Sequence, residues 1–224
     1  VLRPAPLSAI DREYLLDVAR RTWSYFDRFV TADDHHLPPD NVQMLPAVGI
    51  AHRTSPTNIG LGLLATLGAH DLGFIATPEL CERVGRTLAT LERLPRHQGH
   101  FLNWYDTQTL EPLAPRYVST VDSGNLAAAL VTLATGVRPH APDLATRAMT
   151  LFEAMDFRML LDPTRLQLSI GYRLADAESQ GRLDKSYYDL LASEARIASF
   201  VAIAKGDVPE AHWFRLGRPV TSVR

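Results

Sequence analysis

Two adjacent aromatic rings beside an amide and a carboxylate form the centre of His100-Phe101-Leu102-Asn103-Trp104-Tyr105-Asp106. Flat rings stack on the apolar face of a pyranose while amides and carboxylates exchange hydrogen bonds with its hydroxyls, so Trp104, Tyr105 and Asp106 read as a candidate sugar subsite. The same residues would also serve as an apolar anchor pinning a hairpin to the core. Glu194 offers a different chemistry. On a helix it would have Leu190, Leu191, Ile197 and Ala198 at i±3 and i±4, and a carboxyl in packed surroundings has a raised pKa, as a general acid needs. The alternative is an ion-pair network of Asp189, Glu194 and Arg196 on a solvated helix side.

Two further stretches put polar side chains just ahead of expected helices. Arg53-Thr54-Ser55-Pro56-Thr57-Asn58 offers donors and a helix N-terminus able to hold a hydroxyl-rich or anionic ligand, with a well-capped helix start as the other reading. Residues 116–125 repeat the arrangement, with Gly124 permitting close backbone approach and Asp122, Ser123 and Asn125 available for function or capping. Asp33-Asp34-His35-His36 invites a metal reading, but adjacent side chains diverge and no second ligand cluster follows, so no metal is assigned and a solvated loop is expected. G-x-S-x-G and phosphate-cradling glycine motifs are absent from the sequence.

These residues need a scaffold, and the periodicity predicts a helical one. Ser8 with Asp11 opens an amphipathic helix over 9–30, with Leu15, Leu16, Ala19, Trp23, Phe26 and Val30 on one face. Prolines 38, 39 and 46 make 31–46 an extended loop. Ser55-Pro56 and Thr77-Pro78 are cap-then-proline starts for helices near 56–70 and 78–94. A small hairpin or ordered loop is expected over 100–119, where Pro112 and Pro115 argue against a long regular strand. Asp122 and Ser123 would cap a helix near 125–135 that Gly136 ends. A linker at 138–142 precedes a helix over 143–156, Leu166, Leu168 and Ile170 alternate as a short strand, and Ser186 with Asp189 would open a helix over 187–205 stopped by Gly206. With only two short strand signals, a mainly α toroid or array of helical hairpins fits better than a doubly wound sheet.

The chain has 224 residues, 46% hydrophobic, with 23 Lys and Arg against 25 Asp and Glu. A net charge of −2 gives no basic field for a phosphate backbone, which excludes nucleic acid as the expected partner. Only Lys185 and Lys205 are lysines, a bias read as compositional. The single cysteine, Cys81, excludes an intrachain disulfide and points to a reducing compartment. The longest apolar stretch, 126–137, is shorter than the ~20 residues a membrane-spanning helix needs. The sequence opens with Val1 and without a secretory leader, and reads as a piece of a longer protein.

Six segments in register, 53–61, 99–107, 116–126, 168–173, 186–196 and 212–218, resemble the glycoamylase-like domain of cyclic β-1,2-glucan synthases, including Asn103-Trp104-Tyr105-Asp106, Val121-Asp122-Ser123-Gly124-Asn125 and Ala192-Ser193-Glu194-Ala195-Arg196. The resemblance implies an (α/α)6 toroid with short β-hairpins in its loops, acting on β-1,2-glucan by retaining transglycosylation without a cofactor. It assigns Glu194 as acid/base. Asp122 would bind sugar or hold a neighbouring acid in its protonation state, Trp104 and Tyr105 line glucose subsites, and Asp106 and Asn125 bond hydroxyls. Arg53, Asn58 and Tyr188 are further substrate contacts. It also implies a single domain over 1–224, lacking an insert near 136–148 and a C-terminal part that carries the nucleophile. The partners would be glucan and other domains of a large parent, on the cytoplasmic side of a bacterial inner membrane. A non-catalytic glucan-binding or scaffold module and an endo-β-1,2-glucanase are the competing expectations.

Overall fold

The computed structural model describes residues 6–46, 49–177 and 179–220. Its helices are α1 (Ala9–Phe29), α2 (Pro56–Asp71), α3 (Thr77–Arg93), α4 (Thr120–Val137), α5 (Pro142–Ala154), α6 (Arg196–Ala204) and α7 (Ala211–Arg215). Their sequences sort them into two layers. α2 and α4 are apolar on all sides and rich in Gly and Ala, as a helix surrounded by protein must be, whereas α1 and α3 are amphipathic. Accordingly α2, α4 and α6 pack side by side as an inner row, backed by α1, α3 and α5.

Glycines set the approach of the inner helices. A Cβ on Gly60 would lie 3.0 Å from that of Ala129, and one on Gly136 would lie 2.6 Å from Leu67 Cδ2. Because 60 meets 129 and 67 meets 136, α2 and α4 run parallel and their N-termini share one end of the molecule. Gly136 therefore lies inside α4, and its use is close packing; the expected C-terminal stop is replaced by a helix that runs on to Val137. Gly124 meets Ala198 of α6 in the same way.

At that shared end lies an antiparallel sheet of β1 (Arg53–Thr54), β2 (Asn103–Asp106), β3 (Pro112–Ser119), β4 (Gly171–Arg173) and β5 (Arg182–Leu183), paired in chain order. β1 runs into α2 through Ser55 and β3 into α4 through Ser119. Each serine hydroxyl accepts an amide of the first turn, Asn58 N–H at 3.2 Å and Asp122 N–H at 3.3 Å. Ser55 caps as expected. At α4 the cap is Ser119, which puts Asp122 and Ser123 inside the first turn. β3 is also longer than its prolines suggested. Between the pairs Asn103–Tyr117 and Tyr105–Pro112 the register shifts, and Pro115 falls in that irregular stretch, where its missing N–H costs no ladder bond.

Other expectations shift for similar reasons. α1 starts at its Ser8 cap, but it meets the core through Trp23 and Phe26, leaving Leu15 and Leu16 exposed. α3 begins at Thr77, whose hydroxyl bonds His70 Nε2 rather than capping. Residues 138–141 form a tight turn within one packed unit, α4 against α5, and not a domain linker. The loop over 31–46 is packed at 34–40 rather than solvated, and its end at 43–46 is exposed. Asp34 is buried and accepts from His52 Nδ1 at 2.7 Å and Thr107 Oγ1 at 2.5 Å, while the carbonyls of His35 and His36 accept the hydroxyls of Thr90 and Thr87.

The largest departure is at 187–205, where helix begins only at Arg196. The segment before it gives its backbone bonds to distant chain. Tyr188 N–H donates to Leu168 O, Leu191 N–H to Gly217 O, and Gly217 N–H to Asp189 O. Ser186 N–H bonds Asp184 Oδ1, so the Ser186–Asp189 capping box does not form. Tertiary pairing overrides local helix propensity here.

Candidate active site

Parallel inner helices bring their first turns together, and Asn58, Asp122 and Asn125 stand on them, with Arg53 and Trp104 on the adjoining sheet. Asp122, on the first turn of α4, accepts Thr57 N–H of α2 at 3.2 Å, so an amide that α2 leaves free is satisfied by a carboxylate of its neighbour. Asn125, one turn further along α4, donates from Nδ2 to Thr57 Oγ1 at 3.0 Å. Asn58 donates to Asp40 Oδ1 at 3.3 Å, and Arg53 donates through Nε and Nη2 to Asp40 Oδ2 at 3.2 and 3.0 Å. The Arg53 guanidinium carbon sits 5.4 Å from the centre of the Trp104 ring, within cation–π range.

On the other side of Asp122, Tyr188 hydroxyl donates to Glu194 Oε1 at 3.3 Å. Burial first, then the Glu194 carboxylate and that of Asp122, push the Tyr188 phenol up to about 12. Tyr188 therefore stays a neutral donor at any working pH and feels both carboxylates. Tyr117 is pushed up as well, by burial, then by Asp184 and Tyr188. The result is an arc running Trp104, Arg53, Asp40, Asn58, Thr57, Asp122, Tyr188, Glu194 along the sheet-bearing end of α2, α4 and α6.

Two candidates take other places. Tyr105 is fully buried, and its hydroxyl donates to Pro95 O at 2.6 Å and accepts Leu102 N–H at 2.8 Å. It is a core residue, not a subsite wall, because alternation along β2 turns it away from Trp104. Asp106 closes the turn between β2 and β3, Oδ1 accepting from the amides of Thr109 and Gln108 at 2.8 and 2.9 Å. The Thr109 amide foremost, against a smaller effect of burial, holds its carboxyl below the ordinary range. One oxygen of Asp106 is thus already committed. Glu194 differs from expectation too: it lies on an exposed turn two residues before α6, without the apolar packing that a helical position would have supplied.

Asp40, Thr57, Tyr117 and Asp184 belong to the arc or its support and carry no sequence signal that singles them out. Thr57 and Tyr117 sit inside segments read as ligand-facing, without being singled out there. Asp40 lies in a proline-rich loop where nothing in the spacing ties it to 53 or 58. Among the described residues no three His, Cys, Asp or Glu side chains gather into a metal-binding group, and no helix is long and apolar enough to cross a membrane.

Comparison with known proteins sets this geometry in a family. A family model described as "Protein of unknown function (DUF3131)" matches residues 17–180. Cyclic beta-(1,2)-glucan synthase NdvB of Rhizobium meliloti (strain 1021) is 32% identical over an aligned stretch of 339 residues, covering 94% of this chain and 12% of that protein. The chain therefore spans about an eighth of this relative, and the aligned stretch exceeds its own 224 residues, so the relative carries insertions inside the matched region. An endo-beta-1,2-glucanase from Chitinophaga pinensis, solved with sophorotriose and glucose, superposes with a TM-score of 0.70 at 17% identity, over 89% of this chain and 48% of that one. A beta-1,2-glucanase from Parabacteroides distasonis gives 0.72 at 15% identity, over 96% and 30%. At these identities the likeness establishes the fold: part of a glucoamylase-like (α/α)6 toroid, mainly α with short strands in its loops.

Proposed function

The chain belongs to the DUF3131 family, and from that premise we propose that it is the glycoamylase-like, glucan-active module of a larger protein of the cyclic β-1,2-glucan synthase kind. The observation that carries the reading is the arc itself. A half-exposed indole, a paired guanidinium, two amides and two carboxylates around a neutral tyrosine line the end of the inner helices where their N-termini meet. Rings and amides suit neutral sugars, and carboxyls suit cleavage of a glycosidic bond.

The reaction is transglycosylation with retention. Glu194 protonates the departing glycosidic oxygen as a nucleophilic carboxylate forms a bond to C1, and then takes a proton from the 2-hydroxyl that attacks C1 and expels that carboxylate. One β-1,2 bond breaks and one forms, and when the attacking hydroxyl belongs to the same chain the product is a ring. Asp122 binds a sugar hydroxyl or sets the protonation state of a neighbouring acid. Trp104, Arg53, Asn58, Asn125 and Tyr188 bind the chain. The nucleophile belongs to parts of the parent outside residues 1–224, as does the insert expected near 136–148. Protein carboxyls supply the chemistry without a cofactor, and the module works beside other domains on the cytoplasmic side of an inner membrane.

The test is mass spectrometry of linear β-1,2-glucan incubated with the parent protein and its Glu194→Gln variant. Products one water lighter than linear chains, lost in the variant, are expected. Linear fragments would make the module an endo-β-1,2-glucanase. The exposed position of Glu194 favours a second reading, a module that holds glucan without cleaving it, and intact substrate with retained binding would establish that instead.

A further inference from the structure

Asp40 sits where three segments of chain meet. Its side chain is only 19% exposed, and both carboxylate oxygens are engaged. Oδ2 accepts from Arg53 Nε and Nη2 and from Asn41 Nδ2 at 3.0 Å, and Oδ1 accepts from Asn58. Asp40 is itself fixed by its backbone, its N–H donating to Ala51 O at 3.2 Å and the preceding Pro39 carbonyl accepting Tyr25 hydroxyl at 2.9 Å. We propose that Asp40 is a positioning and specificity-determining residue of the glucan site, which clamps Arg53 beside Trp104 and cancels its charge. The proposal rests on the functional reading above and refines its substrate class to neutral sugar chains.

Two physical effects favour this arrangement. A free arginine has many rotamers to lose when it meets a ligand, and a carboxylate bonded to two of its nitrogens removes that cost before the sugar arrives. An unpaired guanidinium next to an indole is also a receptor for phosphate or carboxylate groups. With Asp40 bonded to it the pair is neutral, and a ring that stacks there need bring no charge. Arg53 is about half exposed, so its outer face remains open to solvent and ligand.

The experiment uses the parent protein with Asp40→Asn, Asp40→Glu, Arg53→Ala and the double variant Asp40→Asn/Arg53→Ala, assayed on linear β-1,2-glucan. Asp40→Asn should raise KM about tenfold with kcat nearly unchanged, the loss of one charge-assisted hydrogen bond. Asp40→Glu should recover part of it, and the double variant should lose clearly less than the sum of the two single variants, since Asp40 acts mainly through the guanidinium it bonds twice and only in part through Asn58. A fall in kcat at constant KM, or additive effects, would overturn the proposal. A readout independent of substrate is phenylglyoxal labelling mapped by mass spectrometry. Arg53 should label several-fold faster in Asp40→Asn, whereas Arg147, paired with Glu92 elsewhere, should not change. Equal labelling of Arg53 in both proteins refutes the clamp, whether or not glucan turns over. Absence of turnover in the wild type with faster labelling in the variant refutes the glucan reading alone.

Discussion

Adding one methyl group at Gly124 should move α6 and with it Glu194. A Cβ built there lies 2.5 Å from Ala198 Cα and 2.8 Å from its amide nitrogen, well inside the ordinary contact of about 3.5–4.0 Å for carbon atoms. The atoms in the way are Ala198 Cβ, Cα and N, none of which a rotamer change can move, so α4 and α6 must part by about 1 Å. Such overpacking costs about 1–3 kcal/mol, offset by about 1 kcal/mol for replacing Gly with Ala in a helix, so a net loss of up to about 2 kcal/mol is expected. The control is Gly68→Ala in α2, where the new Cβ meets nothing within 4 Å. It should stabilise by about 0.5–1 kcal/mol. In a chain of this size 1 kcal/mol moves Tm by about 2–4 °C. Circular dichroism melts should show Gly124→Ala below wild type and Gly68→Ala above it. Equal shifts of one sign would refute the packing argument, because helix propensity alone predicts two gains.

Three more outcomes follow from buried polar groups. Tyr105→Phe keeps the ring but leaves Pro95 O and Leu102 N–H without their partner, and should lower stability by about 1–3 kcal/mol in urea unfolding while glucan turnover by the parent survives. Asp207, nearly buried, accepts from Lys205 Nζ, Arg158 Nη2 and Phe157 N–H. Burial pushes its carboxyl up, but those donors outweigh it and hold the group below its ordinary value. Its contribution is therefore present at neutral pH and lost as acid protonates it, and Asp207→Asn should cost about 3–5 kcal/mol at pH 7 because Lys205 stays buried without its counter-charge. Burial lowers His100 from 6.5 to about 4. The unfolded chain binds that proton first, so stability from His100 is full above pH 6.5 and lost as pH falls to about 4, by about 3 kcal/mol in all. A His100→Gln variant should show a shallower decline in urea midpoint across that interval, and an identical slope would remove His100 as the cause.

Local signals carried the helical frame. Ser8 and Ser55 act as caps because a serine hydroxyl meets an amide three residues ahead, whatever surrounds it. The apolar run of α4 and the two-faced pattern of α3 match their inner and outer places in the fold for the same reason: burial selects residue type position by position. Arg53 with Asn58, and Asp122 with Asn125, were legible as two separate stretches because cap and first turn follow one another in the chain; the parallel packing of α2 on α4 that joins them was not. What the sequence left open depends on partners far away in it. Tyr188 and Leu191 look helical until Leu168 and Gly217 take their backbone bonds, and that puts Glu194 on an exposed turn. Gly136 looks like a helix stop until Leu67 fills the space a Cβ would need. Tyr105 and Trp104 are equivalent in composition, and only the pairing of β2 between β1 and β3 decides which ring enters the core and which stays beside Arg53. Asp40 had no local pattern at all, because its significance is a distance to two side chains that folding alone brings to it.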